Sequence, residues 1–420
     1  MKYSSAITFF LIGIGSLFFI TKIGSAQTLF PQIASQKIPS IDPDIAQAAN
    51  KYTYSVDLCP PTNNPLIARC FGKVLMQDTF IPFTSTKPAG FGPAEFRKAY
   101  NISGKAINTS IVAIVDAYDQ PNILSNLQTY STTFNLPQLP NCSGAIINSS
   151  VPCFKKISQT GTTKYPKTDA GWALEISLDV EAVHAMCDNC SILLVEAASP
   201  TNANLLKAVD TAVSLGATVI SNSYGGSETS TEKTTYDKHF NQPGIGIFAS
   251  SGDNGYGVSY PAASRYVIAV GGTKLTLTPS GDYSSETAWS DGGSGCSKYE
   301  SKPVWQTDTG CGKRTVADIA ADADPTTGAA IYDSVTYQGQ KGWFKIGGTS
   351  LSSPLVAGIF ATGDNLTGTE QTGTFFYGLS LSHFHDISTG SNGTCSPSYL
   401  CKARIGFDGP TGLGSPDGAF

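Results

Sequence analysis

The chain has 420 residues, with 27 Lys and Arg against 32 Asp and Glu and a formal net charge of -5. At 40% hydrophobic and 10% aromatic it can bury a full core, which excludes wholesale disorder; its mild acidity argues against a nucleic-acid partner, which needs a basic face. Only 14% of residues are charged, against roughly a quarter in average soluble domains, so neutral polar loops rich in Gly (43) and Pro (24) form most of the exterior.

Residues 1–26 have the layout of a secretory signal. Lys2 supplies the positive start, Ala6 to Ile20 the apolar stretch, and Gly24-Ser25-Ala26 a small-residue cleavage site. The apolar stretch is broken by Ser16 and closed by Lys22, which is short for a membrane span. A secreted protein, extracellular or periplasmic, with no stable membrane insertion after signal removal is expected. Cleavage leaves 25 basic against 32 acidic residues, a balance of -7. Residues 27–90 are Pro-, Asn- and Thr-rich with one strand-like run, Gly72 to Met76, and read as a short N-terminal extension.

From residue 91 to 420 apolar strands alternate with helical patterns, which predicts one large domain. Strands are expected at Ser110–Val115, Ile192–Val195, Thr218–Ser221, Gly246–Ala249 and Val267–Val270. Between the second and third lies a helical run, Asn204 to Leu215, with Leu205, Leu206, Val209, Ala212 and Val213 on one face and Gly216 placed to end it. This alternation predicts an α/β fold: a doubly wound, mostly parallel sheet with helices on both faces. The ten cysteines form five sequence-local pairs, Cys59/Cys70, Cys142/Cys153, Cys187/Cys190, Cys296/Cys311 and Cys395/Cys401. An even count behind a signal favours disulfides, and adjacent pairing is the simplest connectivity. Cys187 and Cys190 also have the spacing of half a zinc site or a redox pair, but no second ligand pair lies nearby in sequence.

Three segments carry candidate chemistry. In Thr168 to Glu181, Thr168 or Asp169 can cap a helix on which Glu175 and Asp179 lie one above the other. Like carboxylates at that spacing repel unless one holds a proton or both serve a site; the plainer alternative is a solvated acidic face. In Ile346 to Ile359, Gly347 and Gly348 permit a close backbone approach, and Pro354 fits the first turn of a helix. Ser350 then sits at or just before the helix N-terminus, where the dipole favours a developing anion. The third segment, Phe248 to Gly255, is a strand running into a Gly-rich turn. It places Asp253 at the C-terminal end of a parallel strand, where such sheets bind ligands.

A serine nucleophile normally needs a histidine base. The strand Ile111 to Asp116 is similar to the first acidic strand of subtilisin-like enzymes, yet no His-Gly-Thr follows it. The first of only four histidines is His184, expected to be a packed or surface imidazole, and His239, His383 and His385 lack Gly-rich settings.

Taken together, Trp172 to Glu181, Ser251-Gly252-Asp253-Asn254-Gly255 and Gly348-Thr349-Ser350-Leu351-Ser352-Ser353-Pro354 resemble the sedolisins, or serine-carboxyl peptidases. The resemblance extends to Gly90–Asn101, Ala113–Asp119, Tyr260–Ser264, Ala269–Thr273, Asp318–Pro325 and Thr411–Pro416, in order across residues 90–420. It implies a subtilisin-like fold in which a Glu replaces the base His. Carried over by position, Ser350 is the nucleophile, Glu175 its base, Asp179 the carboxylate behind Glu175, and Asp253 a protonated acid donating to the oxyanion. An Asp can donate only while protonated, so the resemblance implies an acid optimum, between roughly pH 3 and 5 on reference carboxyl values.

His385–Gly390 and Ala403–Asp408 match the family's calcium loop. The implied ligands of one structural Ca²⁺ are the carboxylates of Asp386 and Asp408 and the carbonyls of Ile387, Arg404 and Gly406, with water completing the shell; hard oxygen donors of this kind suit Ca²⁺. Three positions depart from the family pattern. Tyr224 stands where Trp is frequent, Gly347 where Ser is frequent, and Arg404 where Gly is usual. The arm at 27–90 is also much shorter than a typical prosegment, and Cys59–Cys70 is a candidate staple of that arm to the body. The expected partners are protein or peptide substrates of a monomeric serine-type endopeptidase. Two rivals remain: a non-catalytic binding protein on the same scaffold, and a glycosidase using Glu175 and Asp179 as its carboxylate pair.

Overall fold

The computed structural model describes residues 54–77, 81–82, 84–85, 88–106, 110–363, 366 and 370–420. The expected signal at 1–26 and residues 27–53, 78–80, 83 and 86–87 of the extension lie outside them. In chain order the strands that build the site are β1 (Tyr54–Asp57), β2 (Arg69–Cys70), β3 (Lys73–Met76), β4 (Ile111–Ala117), β5 (Phe154–Ser158), β6 (Ser191–Ala197), β7 (Val219–Asn222), β8 (Tyr224–Ser227), β9 (Gly246–Ser250), β10 (Ile268–Leu277), β11 (Tyr283–Ala288), β12 (Ile319–Asp322), β13 (Ala329–Tyr337) and β14 (Gln340–Gly347). The helices that matter here are α1 (Ala170–Met186), α2 (Asn202–Ser214) and α3 (Thr349–Thr362).

The main sheet runs β11-β10-β9-β7-β4-β6-β5, with β12 also paired to β10. Every pairing in it is parallel except β10 with β11. This is the doubly wound, mostly parallel α/β sheet expected. Its central strands are buried along their whole length because both faces are covered: Ile111–Ala117 and Ser191–Ala197 are buried at every residue. The strands extend one to several residues beyond their expected ends, and β10 runs furthest because its second half turns to antiparallel pairing with β11. Helix α2 ends where expected, with Gly216 at φ +86°.

A second, antiparallel sheet has the order β1-β3-β14-β13 and was not read from the sequence. Strand β3 thereby ties the described part of the N-terminal extension into the body, through Val74 opposite Ile346 and Lys73 opposite Gly347. The five disulfides join the adjacent cysteines. Cys59–Cys70 closes a loop inside the arm and does not staple the arm to the body; the β-pairing performs that attachment.

Helices α1 and α3 pack on each other, and α3 also lies against β7, β9, β10 and β12. All fourteen residues of α3 are buried, and α1 is buried from Gly171 to Met186. The two helices approach closely at Gly358. A Cβ there would lie 2.8 Å from Met186 Cβ and 3.1 Å from the Val183 carbonyl oxygen.

Candidate active site

Helix α1 begins where Asp169 leaves extended backbone and its carboxylate accepts from the N–H groups of Gly171 (3.1 Å) and Trp172 (3.2 Å). That start sets the phase of the helix and stacks Glu175 one turn above Asp179. Both are fully buried, so the solvated-face alternative fails. Glu181 points elsewhere, accepting from the Tyr332 N–H at 2.9 Å. His184 is packed away from these acids with Nε2 2.9 Å from the Pro137 carbonyl, and burial lowers its pKa to about 4. No histidine stands beside Ser350.

Helix α3 starts earlier than its proline suggests. Gly348, at φ +93°, is the N-cap, Ser350 is the second helical residue, and Pro354 lies inside the helix rather than in its first turn. Proline has no N–H, so the Ser350 carbonyl loses the bond that residue 354 would have donated. The Ser223 hydroxyl donates to that carbonyl instead, at 3.4 Å. The Ser350 hydroxyl donates to the Ser223 carbonyl (3.1 Å) and accepts from the Phe71 N–H (3.0 Å).

Strand β9 ends at Ser250 and delivers Asp253 through a turn opened by Gly252 at φ +114°. One Asp253 oxygen, Oδ1, accepts from the Thr349 N–H (2.9 Å) and hydroxyl (2.6 Å). The other, Oδ2, is buried with no hydrogen-bond partner among the described residues. The fold thus joins three segments distant in sequence: Glu175 and Asp179 from α1, Asp253 after β9, and Ser350 on α3.

The electrostatics follow first from burial. Glu175 is raised well above the ordinary carboxylate range, first by burial and then by Asp179, while the Ser350 hydroxyl and the Gly72 amide pull it down. Neither of its oxygens makes a hydrogen bond of full geometry, so those two groups are close neighbours of the carboxylate rather than firm donors to it. Asp179 is raised by burial and by Asp116. Asp116 is the next-to-last residue of the acidic strand β4, fully buried with no partner for either oxygen among the described residues, and is raised by burial and by Glu175. Asp253 is pushed up to about 7 by burial, against the Thr349 hydrogen bonds and the cations Lys73 and Arg69.

Asp116 therefore makes a third carboxylate beside Glu175 and Asp179. The sequence signal was the acidic strand end, but nothing local connects residue 116 to residue 179. Tyr224, in the frequent Trp position, donates its hydroxyl to Asn222 Oδ1 at 2.8 Å. Such a cluster holds protons in a dry site and can pass one between Ser350 and a leaving group. A glycosidase would need its carboxylates to flank an open sugar subsite, whereas Glu175 and Asp179 are stacked and enclosed.

At the C-terminal end the two predicted metal loops come together. Asp408 is buried and accepts from the Arg404 N–H (2.9 Å) and from the Thr411 N–H and hydroxyl (both 2.9 Å). Asp386 faces the Gly406 N–H at 3.1 and 3.2 Å, and the pKa of Asp408 is raised first by burial and only lastly by the Asp386 charge. Arg404 has no positive φ, so glycine is not required there, and its side chain turns away over the Tyr399 ring at 4.7 Å. Among the described residues no hydrogen bond reaches the carbonyls of Ile387, Arg404 or Gly406. Two convergent carboxylates with unclaimed carbonyls beside them suit a hard cation.

Comparison with known proteins finds similarity to peptidases. The model of the subtilase family of peptidases matches residues 167–366. Kumamolisin from Bacillus sp. (strain MN-32) is 29% identical over 375 residues, covering 80% of this chain and 63% of that protein. Sedolisin from Pseudomonas sp. (strain 101) is 31% identical over 374 residues, covering 78% of this chain and 60% of that protein. The chain thus spans about three fifths of the length of these curated relatives. A solved structure of Pseudomonas sedolisin, a serine-carboxyl proteinase complexed with pseudo-iodotyrostatin, superposes with a TM-score of 0.66 at 30% identity, covering 80% of this chain and 96% of that one.

Proposed function

Since the chain belongs to the sedolisin family of serine-carboxyl peptidases, we propose that it is a secreted, acid-acting endopeptidase that cuts peptide bonds with Ser350. Ser350 Oγ attacks the substrate carbonyl carbon while its proton passes to Glu175. Asp179, with Asp116 behind it, takes up the change in charge. Asp253 Oδ2–H donates to the oxyanion, and Glu175 returns the proton to the leaving amine. Water then repeats the sequence on the acyl-enzyme and frees Ser350.

The observation that carries this reading is the Asp253 carboxyl. It is anchored through Oδ1 by Thr349, the residue next to the nucleophile, and has a free Oδ2 and a pKa near 7. It is a hydrogen-bond donor only in acid, so the alkaline limb of activity falls near that value. Burial raises Glu175 above an ordinary glutamate, so the acid limb also lies higher than reference values suggest. The optimum accordingly moves toward the upper end of the range of roughly pH 3 to 5 expected from unperturbed groups.

Secretion is supported by the signal-like N-terminus and by five disulfides, which persist in oxidising compartments. One Ca²⁺ held by Asp386, Asp408 and the carbonyls of Ile387, Arg404 and Gly406 would tie the C-terminal loops together. The test compares wild type with Ser350→Ala on a denatured protein at about pH 4. Loss of turnover by on the order of 10³-fold or more is expected; equal cleavage by both would remove the serine nucleophile.

A further inference from the structure

A row of polar side chains leads from the buried acids of the site to the edge of the main sheet. Asp116 on β4 lies opposite Glu196 on β6, and Glu196 lies opposite Ser158 on β5. Residues in register on neighbouring parallel strands, about 4.8 Å apart, share one face of the sheet, so the three side chains stand side by side. Strand β5 is the last in its sheet, and the row ends there. A second acid buried next to Asp116 is costly unless a partner or a proton compensates it.

Glu196 is fully buried. Its Oε1 accepts from the Gln120 N–H at 3.0 Å and stands 3.6 Å from Lys156 Nζ. Its Oε2, like both oxygens of Asp116, has no hydrogen-bond partner among the described residues. On its outer side is Asp119, within reach of a carboxyl–carboxyl hydrogen bond to Glu196 and paired with Lys156 at 2.5 Å. The Asp119 side chain is 12% exposed, so this end of the row meets solvent. Glu196 also lines a cavity of about 280 Å³ with Ser158 and Tyr165, on which the exposed Thr160 and Lys164 border.

The charged and titratable groups around Glu196 are therefore Asp116 from β4, Asp119 just beyond it, Lys156 from β5, and Lys164 and Tyr165 from the loop before α1. Burial raises Glu196 to about 8, against Lys156 and the Gln120 amide, and Asp119 adds to the rise. In acid Glu196 is thus a neutral carboxylic acid, with Oε2 free of donors and able to carry the proton.

We propose that Glu196 is a proton-relay residue, joining the enclosed acids of the active site to solvent at the sheet edge by way of Asp119. This role deepens the peptidase reading and rests on it. Glu175, Asp179 and Asp116 have no exposed surface, so a proton exchanged between them and water has to pass through another group. Glu196 Oε2–H gives its proton to an ionised Asp116 oxygen. The Glu196 carboxylate then takes a proton from Asp119, and Asp119 takes one from hydronium. One proton has entered and Asp116 has lost one negative charge; the reverse sequence lets a proton out. Glu196 acts through Asp116, and its task is to restore the proton count of the acids between turnovers.

The test measures kcat and KM of the purified full chain on a denatured protein at about pH 4, in a buffer free of carboxylic acids. Wild type is compared with Glu196→Gln, Glu196→Asp, Glu196→Ala, Asp119→Asn and Ser350→Ala. Glutamine keeps the volume and the oxygen that accepts from Gln120 but passes no proton, whereas aspartate fits less well and keeps the acid. The relay predicts that Glu196→Gln lowers kcat on the order of tenfold with little change in KM. It also predicts that Glu196→Asp turns over faster than Glu196→Gln, and that Asp119→Asn lowers kcat by a smaller factor. Added acetate, a small carboxylic acid, should restore turnover to Glu196→Ala and leave wild type unchanged. Full activity in Glu196→Gln, a Glu196→Gln faster than Glu196→Asp, or an unchanged kcat in Asp119→Asn would each overturn the relay. The peptidase reading would still stand, provided that Ser350→Ala is inactive beside an active wild type. Absence of any serine-dependent cleavage by wild type would overturn the two together.

Discussion

The protein buries acid groups in two opposite ways. Asp318 is fully buried and answered by an equally buried Arg314, whose Nη1 donates to it at 2.7 Å. The Ala269 N–H (2.8 Å), the Tyr377 hydroxyl (2.8 Å) and Gln306 (3.2 Å) complete its shell. Asp116, Glu175 and Asp179 are as deeply buried, yet among the described residues no salt bridge reaches them. The first centre fixes structure with a permanent cation. The second can be neutralised only by protons, which makes it mobile in charge and suited to chemistry.

The sharpest way to break this contrast is Arg314→Met. Stranding Asp318 should cost about 3–5 kcal/mol, read as a large fall in the denaturant midpoint. Asp179→Asn, in the other centre, should abolish most activity without loss of stability. A comparable destabilisation in both variants would show that the acids of α1 are structural.

The next effect is the pH dependence of stability. In the folded chain Asp253 and Asp333 are raised to about 7, and Asp116, Glu175 and Asp179 are raised well above the usual range, in each case first by burial. The unfolded chain ionises these groups near pH 4. Stability is therefore full in acid and falls as pH rises through the folded values, by roughly 1.4 kcal/mol per unit for each group. The melting temperature should drop on the order of 10 °C between pH 4 and pH 8, and Asp179→Asn should flatten the slope. A melt that improves toward neutral pH would refute the proton-neutralised reading. The smallest effect concerns the C-terminal loops: EDTA should lower the melting temperature by a few degrees through loss of Ca²⁺ linkage, and an unchanged melt would count against that site.

What was legible in the sequence was what local pattern carries. The one-turn spacing of Glu175 and Asp179, the Asp169 cap and the alternation of strand and helix all depend on residues a few positions apart. The pairing of adjacent cysteines is local in the same sense. The antiparallel sheet of β13 and β14 was missed because its strands carry mixed burial, without one long apolar run. The contact of Phe71 with Ser350 spans 279 positions and leaves no periodic trace. Pro354 misled for a different reason. The rule that places proline in a first turn concerns the missing N–H, and here a neighbouring serine satisfies the carbonyl left behind.

The close approach of α1 and α3 at Gly358 sets an alignment tolerance for the catalytic pair. Glu175 and Ser350 ride on two rods, each stiffened by complete burial, whose separation is gauged at a single hydrogen-sized gap. A methyl group at Gly358 would act as a shim between the rods. Because neither helix has an exposed face on which to yield, the displacement would be transmitted along them to the serine and its base, two turns from where it was inserted.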